Sequence, residues 1–437
     1  MTTGCVDDKN GYLVSKSYSL FVFSLLFLLY MFDYLDRLVI VSLFPSLQRD
    51  WGLTDTQCGS LVSAVYWSIL VFSFPISLLI DRWSRKKSIG LMAVLWSLAT
   101  GASAFTHSFR QLFTVRVAVG IGEAGYAPGG TAMLSALFPE NKRAMFMGIW
   151  NASIPLGSAL GMIIGGLVAE YFGWRHAFGL VAFPGLIVAV LFFFVKDYKT
   201  VKLRSDVETE GPRPLGDRAR QTGLVVVRLF KTPSLLLTYL AFAGNTFVTT
   251  ALLSWLPTYF YRIDSLPMSK ASMKGSVVMM LAMVGAPLGG YLADKWGCYR
   301  DNARMIFAGI TSLATAALLF ASFGLTEGNL SYGLLLGAGL TAVMFLPAGA
   351  AVTQDVVHPG VRATSYSLCV VVQHILGSSI GPVFVGSMSD HYDISVALTI
   401  LPVFGAIAGL LFLAGSIFYV KDLNSVDRVE LSLEDEA

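Results

Sequence analysis

Apolar runs of roughly 20 residues recur from Ser17 to Val420, with short polar stretches between them. Each is long enough to cross a bilayer core of about 30 Å as a helix. Their approximate limits are 17–47, 56–80, 88–106, 109–138, 143–172, 176–195, 232–261, 270–293, 303–323, 329–353, 361–389 and 394–420. This pattern predicts an all-α membrane protein with twelve transmembrane helices. It breaks once, at 196–231, where nine basic residues mark a solvated cytoplasmic linker. The end of that stretch, GLVVVRLFK, reads as a short helix lying on the membrane surface. The organisation expected is a tail at 1–16, a six-helix bundle at 17–195, the linker, a second six-helix bundle at 232–420, and a tail at 421–437.

The two halves repeat each other. SLLIDRWSRKK at 77–87 and GYLADKWGCYR at 290–300 each put an acid and a base at a span's end, Asp81-Arg82 and Asp294-Lys295, with more positive charge following. FPENKRAMFMG…PLGSALG at 138–161 is echoed by HPGVRATSYSL…ILGSSIG at 358–381. Repeats this far apart predict two pseudo-symmetric membrane halves, with function between them. Gly157, Gly161 and Gly165, and again Gly377 and Gly381, form small-residue stripes that favour close helix packing in lipid. Pro155, Pro257, Pro287, Pro347 and Pro382 fall inside spans and give the chain places to bend.

Composition and charge narrow the class further. Of 437 residues, 55% are hydrophobic and 14% charged, against about 25% charged in a typical soluble domain. Of the 31 Lys and Arg, 23 fall on the side of the N-terminus, six on the opposite side, and Arg37 and Arg116 inside spans. Positive charge concentrates on the cytoplasmic side, so both termini are expected there. The net charge of +3 is then a mark of topology and gives no reason to expect nucleic acid. The first 16 residues carry Asp7 and Asp8 and no basic leader, so the first span is expected to be retained. Cys5, Cys58, Cys298 and Cys369 show neither metal nor disulfide spacing. The compact loops point to a bacterial inner membrane. A monomer surrounded by lipid is expected, with no cofactor beyond the coupling protons.

Charge inside the spans carries the chemistry. An ionisable residue at mid-membrane costs about 2.5–3.5 kcal/mol on insertion scales, so it marks function or pairing. The first span holds Asp33, Asp36 and Arg37; the fourth holds Arg116 and Glu123. Arg116 and Glu123 are seven apart and share a helical face; Asp33 and Asp36 are three apart. Asp33 reads as the more peripheral acid, towards the outer end of its span. Burial favours the neutral form of a carboxyl group, and proton coupling needs a carboxyl group that gains and loses a proton. Asp36 and Glu123 are the candidates, with Arg37 and Arg116 as ion-pair or substrate partners. The second half offers neutral polar groups, Asn245, Thr246, Thr249, Trp255, Gln373 and His374, to orient a ligand, with Tyr34, Tyr126 and Phe247 as apolar cover. For any one of these, a packing role competes with the binding role.

The repeated D-[RK]-x-x-[RK] loops and Arg116-x-x-x-Gly120-x-Gly122 resemble motifs of the major facilitator superfamily. Within it, DYLDR at 33–37, RVAVGIGEAGY at 116–126, SWLPTYFYR at 254–262, HILG at 374–377 and IGPVFVGSMSD at 380–390 look like the Spinster lipid-transporter family. The resemblance implies alternating access about a mid-bilayer site between the halves, with Asp36 and Glu123 as the proton-sensitive acids. It also implies a cytoplasmic gate of Asp81, Arg82 and Arg85 with Asp294 and Lys295. Ser378 stands where Spinster proteins tend to carry an acid, and Ser77 and Ser84 where the loop motif usually has glycine. GEAGYAPGG and FPENKRA also resemble the organic anion–cation symporters.

Three functions are compatible with these residues. The first is proton-coupled secondary transport of an amphiphilic or lipid-like solute. The second is proton-linked symport of small organic anions such as sugar acids or aromatic acids, held by Arg37 and Arg116. The third is a non-transporting receptor or scaffold. An enzyme is not expected, because the sequence holds no nucleophile–base set, metal cluster or phosphate loop.

Overall fold

The computed structural model describes residues 14–82, 84–196, 226–358 and 361–425, and all regular structure among them is helical. The first half contributes α1 Lys16–Val39, α2 Phe44–Trp51, α3 Asp55–Arg82, α4 Arg85–Ser103, α5 Phe109–Glu123, α6 Tyr126–Leu137, α7 Glu140–Asn151, α8 Ser153–Tyr171 and α9 Trp174–Phe192. The second half contributes α10 Pro233–Arg262, α11 Met268–Met280, α12 Ala282–Gly297, α13 Ala303–Gly324, α14 Gly328–Thr341, α15 Phe345–Asp355, α16 Arg362–Gln373, α17 Gly381–His391 and α18 Ile394–Asn424. Most of residues 196–231 and the terminal tails lie outside the described residues.

Among the described residues, ten helical stretches are long and apolar enough to cross a membrane. The other two expected spans are helical but more polar or interrupted. Helix α4 opens on Arg85-Lys86-Lys87, and the α5–α6 pair breaks at Ala124-Gly125 after Arg110, Arg116 and Glu123.

Several spans are pairs of helices in series. The first runs from α1 through a 3₁₀ turn at Ile40–Leu43 into α2. Pro45, Pro155, Pro347 and Pro382 each sit in the opening turn of the helix that follows a break. A proline's missing N–H costs nothing there, because the first N–H groups of a helix have no intrahelical partner. Pro257 and Pro287 lie inside α10 and α12.

The chain folds into two compact units. One comprises Met1–Thr200, Ala251–Met283 and Pro382–Ala397; the other comprises Val201–Thr250, Val284–Gly381 and Leu398–Ala437. This differs from the division at 196–231 drawn on the sequence. The cause is packing within the first unit, where parts of the second half join the first half's helices. The Trp255 indole N–H donates to the Pro382 carbonyl at 2.9 Å, and its ring lies 5.1 Å from Phe44.

The first unit's core is aromatic, with Tyr30 stacked on Trp150 at 4.2 Å and Trp96 edge-on to Tyr126 at 5.4 Å. The small-residue stripe on α8 acts as packing. A Cβ at Gly157, Gly161 or Gly165 would collide with the carbonyl oxygens of Met31, Leu35 and Val39, one turn apart along α1. The second unit packs Phe242, Phe345 and Phe412 against one another. There Gly377 lets its backbone approach the Ala243 carbonyl.

Candidate functional site

Helices α1 and α5 bring the five intramembrane charges together. Helix α5 starts on Ser108, whose hydroxyl accepts from the Gln111 N–H, and it is drawn close to α3 by Gly120, where a Cβ would lie 2.5 Å from the Val65 carbonyl oxygen. That approach sets Arg116 and Glu123 beside α1. Asp33 and Arg116 are 0% exposed, Asp36 2%, Glu123 3% and Arg37 8%.

Arg37 is the bridge. Its Nη2 donates to Asp33 Oδ2 at 2.9 Å, one helical turn back, and its Nε lies 2.7 Å from Glu123 Oε2. The second contact is an ion pair whose angles fall short of a hydrogen bond. The guanidinium also lies 4.6 Å over the Tyr34 ring. Asp33, expected to be peripheral, is therefore a fully buried member of the cluster. Asp36 turns the other way and accepts from the Thr100 hydroxyl of α4 at 3.1 Å. Asp33 Oδ1, Asp36 Oδ1 and Glu123 Oε1 are buried without a hydrogen-bond partner among the described residues.

Arg116 does something other than expected. Its guanidinium donates to three backbone carbonyls: Asp36 at 3.1 Å, Arg37 at 3.3 Å and Leu61 at 3.3 Å. The last four carbonyls of an α-helix lack intrahelical partners, and Asp36 and Arg37 belong to the last turn of α1. Arg116 thus caps α1 from another helix and ties it to α3. A favourable interaction of its positive charge with the negative helix end adds to this. A direct carboxylate bond, or a fork presented to a substrate, is not what these donors make.

The aromatic residues divide. Tyr34 lies on the charge cluster and 5.3 Å from Tyr30. Tyr126, expected to cover a ligand, is 1% exposed and belongs to the core, its hydroxyl donating to the Leu26 carbonyl. Phe247 is likewise buried, 4.3 Å from Phe404, and Trp255 is spent on the Pro382 carbonyl.

In the second unit the polar residues form short-range pairs. Asn245 donates to the Ala241 carbonyl and to Ser312 Oγ at 2.9 Å; the Thr249 hydroxyl donates back to the Asn245 carbonyl. The Thr246 hydroxyl donates to Gln373 at 3.3 Å, and Gln373 reaches Cys369. His374 opens a π-helical turn at His374–Ser378 and pairs through Nδ1 with Ser378 Oγ at 2.8 Å. Serine at 378 is thus the histidine's hydrogen-bonding partner, and π-turns of this kind recur at functional sites.

Of the expected gate, the side chains of Asp81, Arg82 and Arg85 lie outside the described residues. Lys295 is exposed in the last turn of α12, where a positive charge suits the helix end. Asp294 accepts from Arg304 at 3.0 Å. Arg304 also donates to Asp355 at 2.7 Å, which accepts from the Tyr419 hydroxyl at 2.9 Å. Sequence reasoning missed Arg304, Asp355 and Tyr419, as well as Thr100 and a network at Asp55 and Arg262. Arg262 ends SWLPTYFYR and Asp390 ends IGPVFVGSMSD; an acid or base at a span's end was the available signal.

The comparisons agree with this architecture. The Major Facilitator Superfamily model matches residues 26–382. A hexuronate transporter of Bacillus subtilis (strain 168) is 28% identical over 378 residues, covering 84% of this chain and 87% of its own length. The sphingosine-1-phosphate transporter SPNS2 of Xenopus tropicalis is 27% identical over 434 residues, covering 91% and 82%. A solved bacterial homolog of the human lysosomal transporter Spinster, inward-facing and occupied, superposes with a TM-score of 0.80 at 22% identity, covering 94% of this chain and 99% of that one. The chain belongs to the Major Facilitator Superfamily and is a multi-pass membrane transporter.

Proposed function

We propose that this protein is a proton-coupled secondary transporter of an amphiphilic or lipid-like solute, of the Spinster type, working by alternating access with both termini cytoplasmic in a bacterial inner membrane. The observation that carries the reading is the charge balance of the buried cluster. Three carboxyl groups, Asp33, Asp36 and Glu123, share the site with two guanidiniums, Arg37 and Arg116. One bound proton makes the cluster electrically neutral; its release leaves a net negative charge in the membrane interior. Such a change is costly enough in lipid to drive a rearrangement. A proton moving down a 100 mV potential releases roughly 2.3 kcal/mol, which sustains a solute gradient of roughly 50-fold.

The hexuronate relative favours a second reading, symport of small organic anions, in which Arg37 and Arg116 hold the substrate carboxylate. The ion pairs and hydrogen bonds of the two arginines count against it. Arg37 is committed to Asp33 and Glu123, and Arg116 to three carbonyls. A receptor or scaffold has no use for groups this expensive to bury.

The test is uptake into proteoliposomes under an imposed pH gradient, with labelled lysophospholipid and sphingoid compounds set against hexuronate and aromatic acids. Uptake of the amphiphiles, abolished in Asp36→Asn and in Glu123→Gln, is expected. Full driven uptake in both variants removes the proton-coupling reading. Preferential uptake of hexuronate gives the site to the second reading, and no flux of any solute gives it to the third.

A further inference from the structure

Two helix N-termini in the first unit are capped by carboxylates from far along the chain, and the two caps match. Asp390, near the end of α17, accepts from the backbone N–H groups of Asp55 at 2.7 Å and Thr56 at 2.8 Å, and from the Thr56 hydroxyl at 2.6 Å. Glu170, near the end of α8, accepts from the backbone N–H of Ser269 at 2.8 Å. Thr56 and Ser269 are each the second residue of their helix, α3 and α11.

Four residues before each carboxylate stands a glycine, Gly386 or Gly166. A Cβ at Gly386 would collide with the carbonyl of Asp55, the first residue of α3. At Gly166 it would collide with Ser272 and lie 2.9 Å from the carbonyl of Met268, the first residue of α11. The positions correspond in number: Gly166 and Glu170 recur 220 residues on, and Asp55 and Thr56 recur 213 residues on. The echoes at 138–161 and 358–381, and at 77–87 and 290–300, keep the same two intervals.

We infer that Gly-x-x-x-acid at 166–170 and 386–390 is a two-fold clasp that holds this end of the transporter shut. The glycine admits the opposing helix end, and the carboxylate satisfies N–H groups that have no intrahelical partner. Between the two caps Asp55 locks the middle. Its carboxylate accepts from Arg262 at 2.6 and 2.8 Å, from Gln48 and from Ser389. Arg262 also donates to Gln48 at 2.9 Å. Glu170 and Asp390 are therefore positioning residues of the transport cycle, which must release both caps together when this end opens. This rests on the alternating-access reading.

Cys58 supplies a native probe. It is buried in the first turn of α3, three residues after Asp55. Purified protein in detergent micelles is exposed to a hydrophilic maleimide, and modification is followed cysteine by cysteine by peptide mass spectrometry. Exposed Cys298 serves as the rate standard and buried Cys369 as the monitor of the second unit. The double variant Asp390→Asn with Glu170→Gln is expected to speed Cys58 modification at least tenfold relative to Cys298, with each single variant giving less. An unchanged Cys58 rate in the double variant overturns the clasp. A rise shared equally by Cys369 also overturns it, because the carboxylates then serve overall stability.

Thr56→Cys with Asp390→Cys gives a second arm in one folded protein. Cys58 is expected to react quickly in the reduced form and to be protected, reversibly, once the pair is oxidised. Equal reactivity in both forms, or failure of the pair to cross-link, overturns the proposal. No solute enters the readout, so failure of the clasp and failure of the transport assay are separate results.

Discussion

Arg37 offers the most direct test of the buried cluster. Arg37→Met keeps much of the apolar stem but removes the guanidinium that lies within ion-pair distance of both Asp33, at 2.9 Å, and Glu123, at 2.7 Å. Breaking a buried ion pair by removing one partner costs about 3–5 kcal/mol, because the remaining charge is left uncompensated. Here two carboxyl groups lose their partner at once, so the upper end of that range is expected. Glu123→Gln made in the Arg37→Met background removes one orphaned charge and recovers part of the loss. The double variant is expected to fall short of the summed single losses by about 1–3 kcal/mol, the coupling seen between residues in contact. The assay is reversible unfolding in mixed micelles of rising SDS fraction, run on the wild type, both single variants and the double. Losses that add to within about 0.3 kcal/mol would refute the reasoning, since independent sites behave that way.

Two further predictions use the same assay. Arg116→Lys is expected to cost at least about 2 kcal/mol, because one ammonium cannot reach the carbonyls of Asp36, Arg37 and Leu61 together, and hydrogen bonds from charged donors contribute about 1.5–3 kcal/mol each. A loss under about 0.5 kcal/mol would show that the fork geometry is unimportant. Gly161→Val is expected to cost about 1–3 kcal/mol by forcing α8 away from the Leu35 carbonyl, whereas Gly148→Ala, with open space around it on α7, is expected to gain up to about 1 kcal/mol. Equal effects at the two glycines would contradict the packing assigned to α8.

The parts of this architecture legible in the sequence are those where lipid makes the rule strict. Apolar runs could be counted because a spanning helix needs length. Asp33, Asp36, Arg37, Arg116 and Glu123 stood out because charge there is expensive. What they bond to was not legible. The acceptors of Arg116 are carbonyls, which every residue carries, and the donor to Asp36 is Thr100 of α4, 64 residues away, with nothing local to single it out from the serines of the same helix. The 3₁₀ turn at Ile40–Leu43 and the π-turn at His374–Ser378 leave no gap in the hydrophobic pattern, because apart from His374 the residues stay apolar or small while the hydrogen bonding changes. The units crossed the sequence halves for a related reason. Asp55 meets Arg262 and Asp390 through contacts 207 and 335 residues apart, and nothing local announces such a pairing.

The cap that Arg116 places on α1 has a consequence for how the chain is made. Arg116 follows Asp36 by 80 residues. At roughly 5–20 residues per second it leaves the ribosome about 4–16 s later. During that interval the carbonyls of Asp36 and Arg37 lack the charged donor that they hold in the folded chain. The end of α1 is therefore expected to settle only once α5 arrives, and nascent chains stalled short of Arg116 to stay longer at the insertion machinery than chains stalled beyond it.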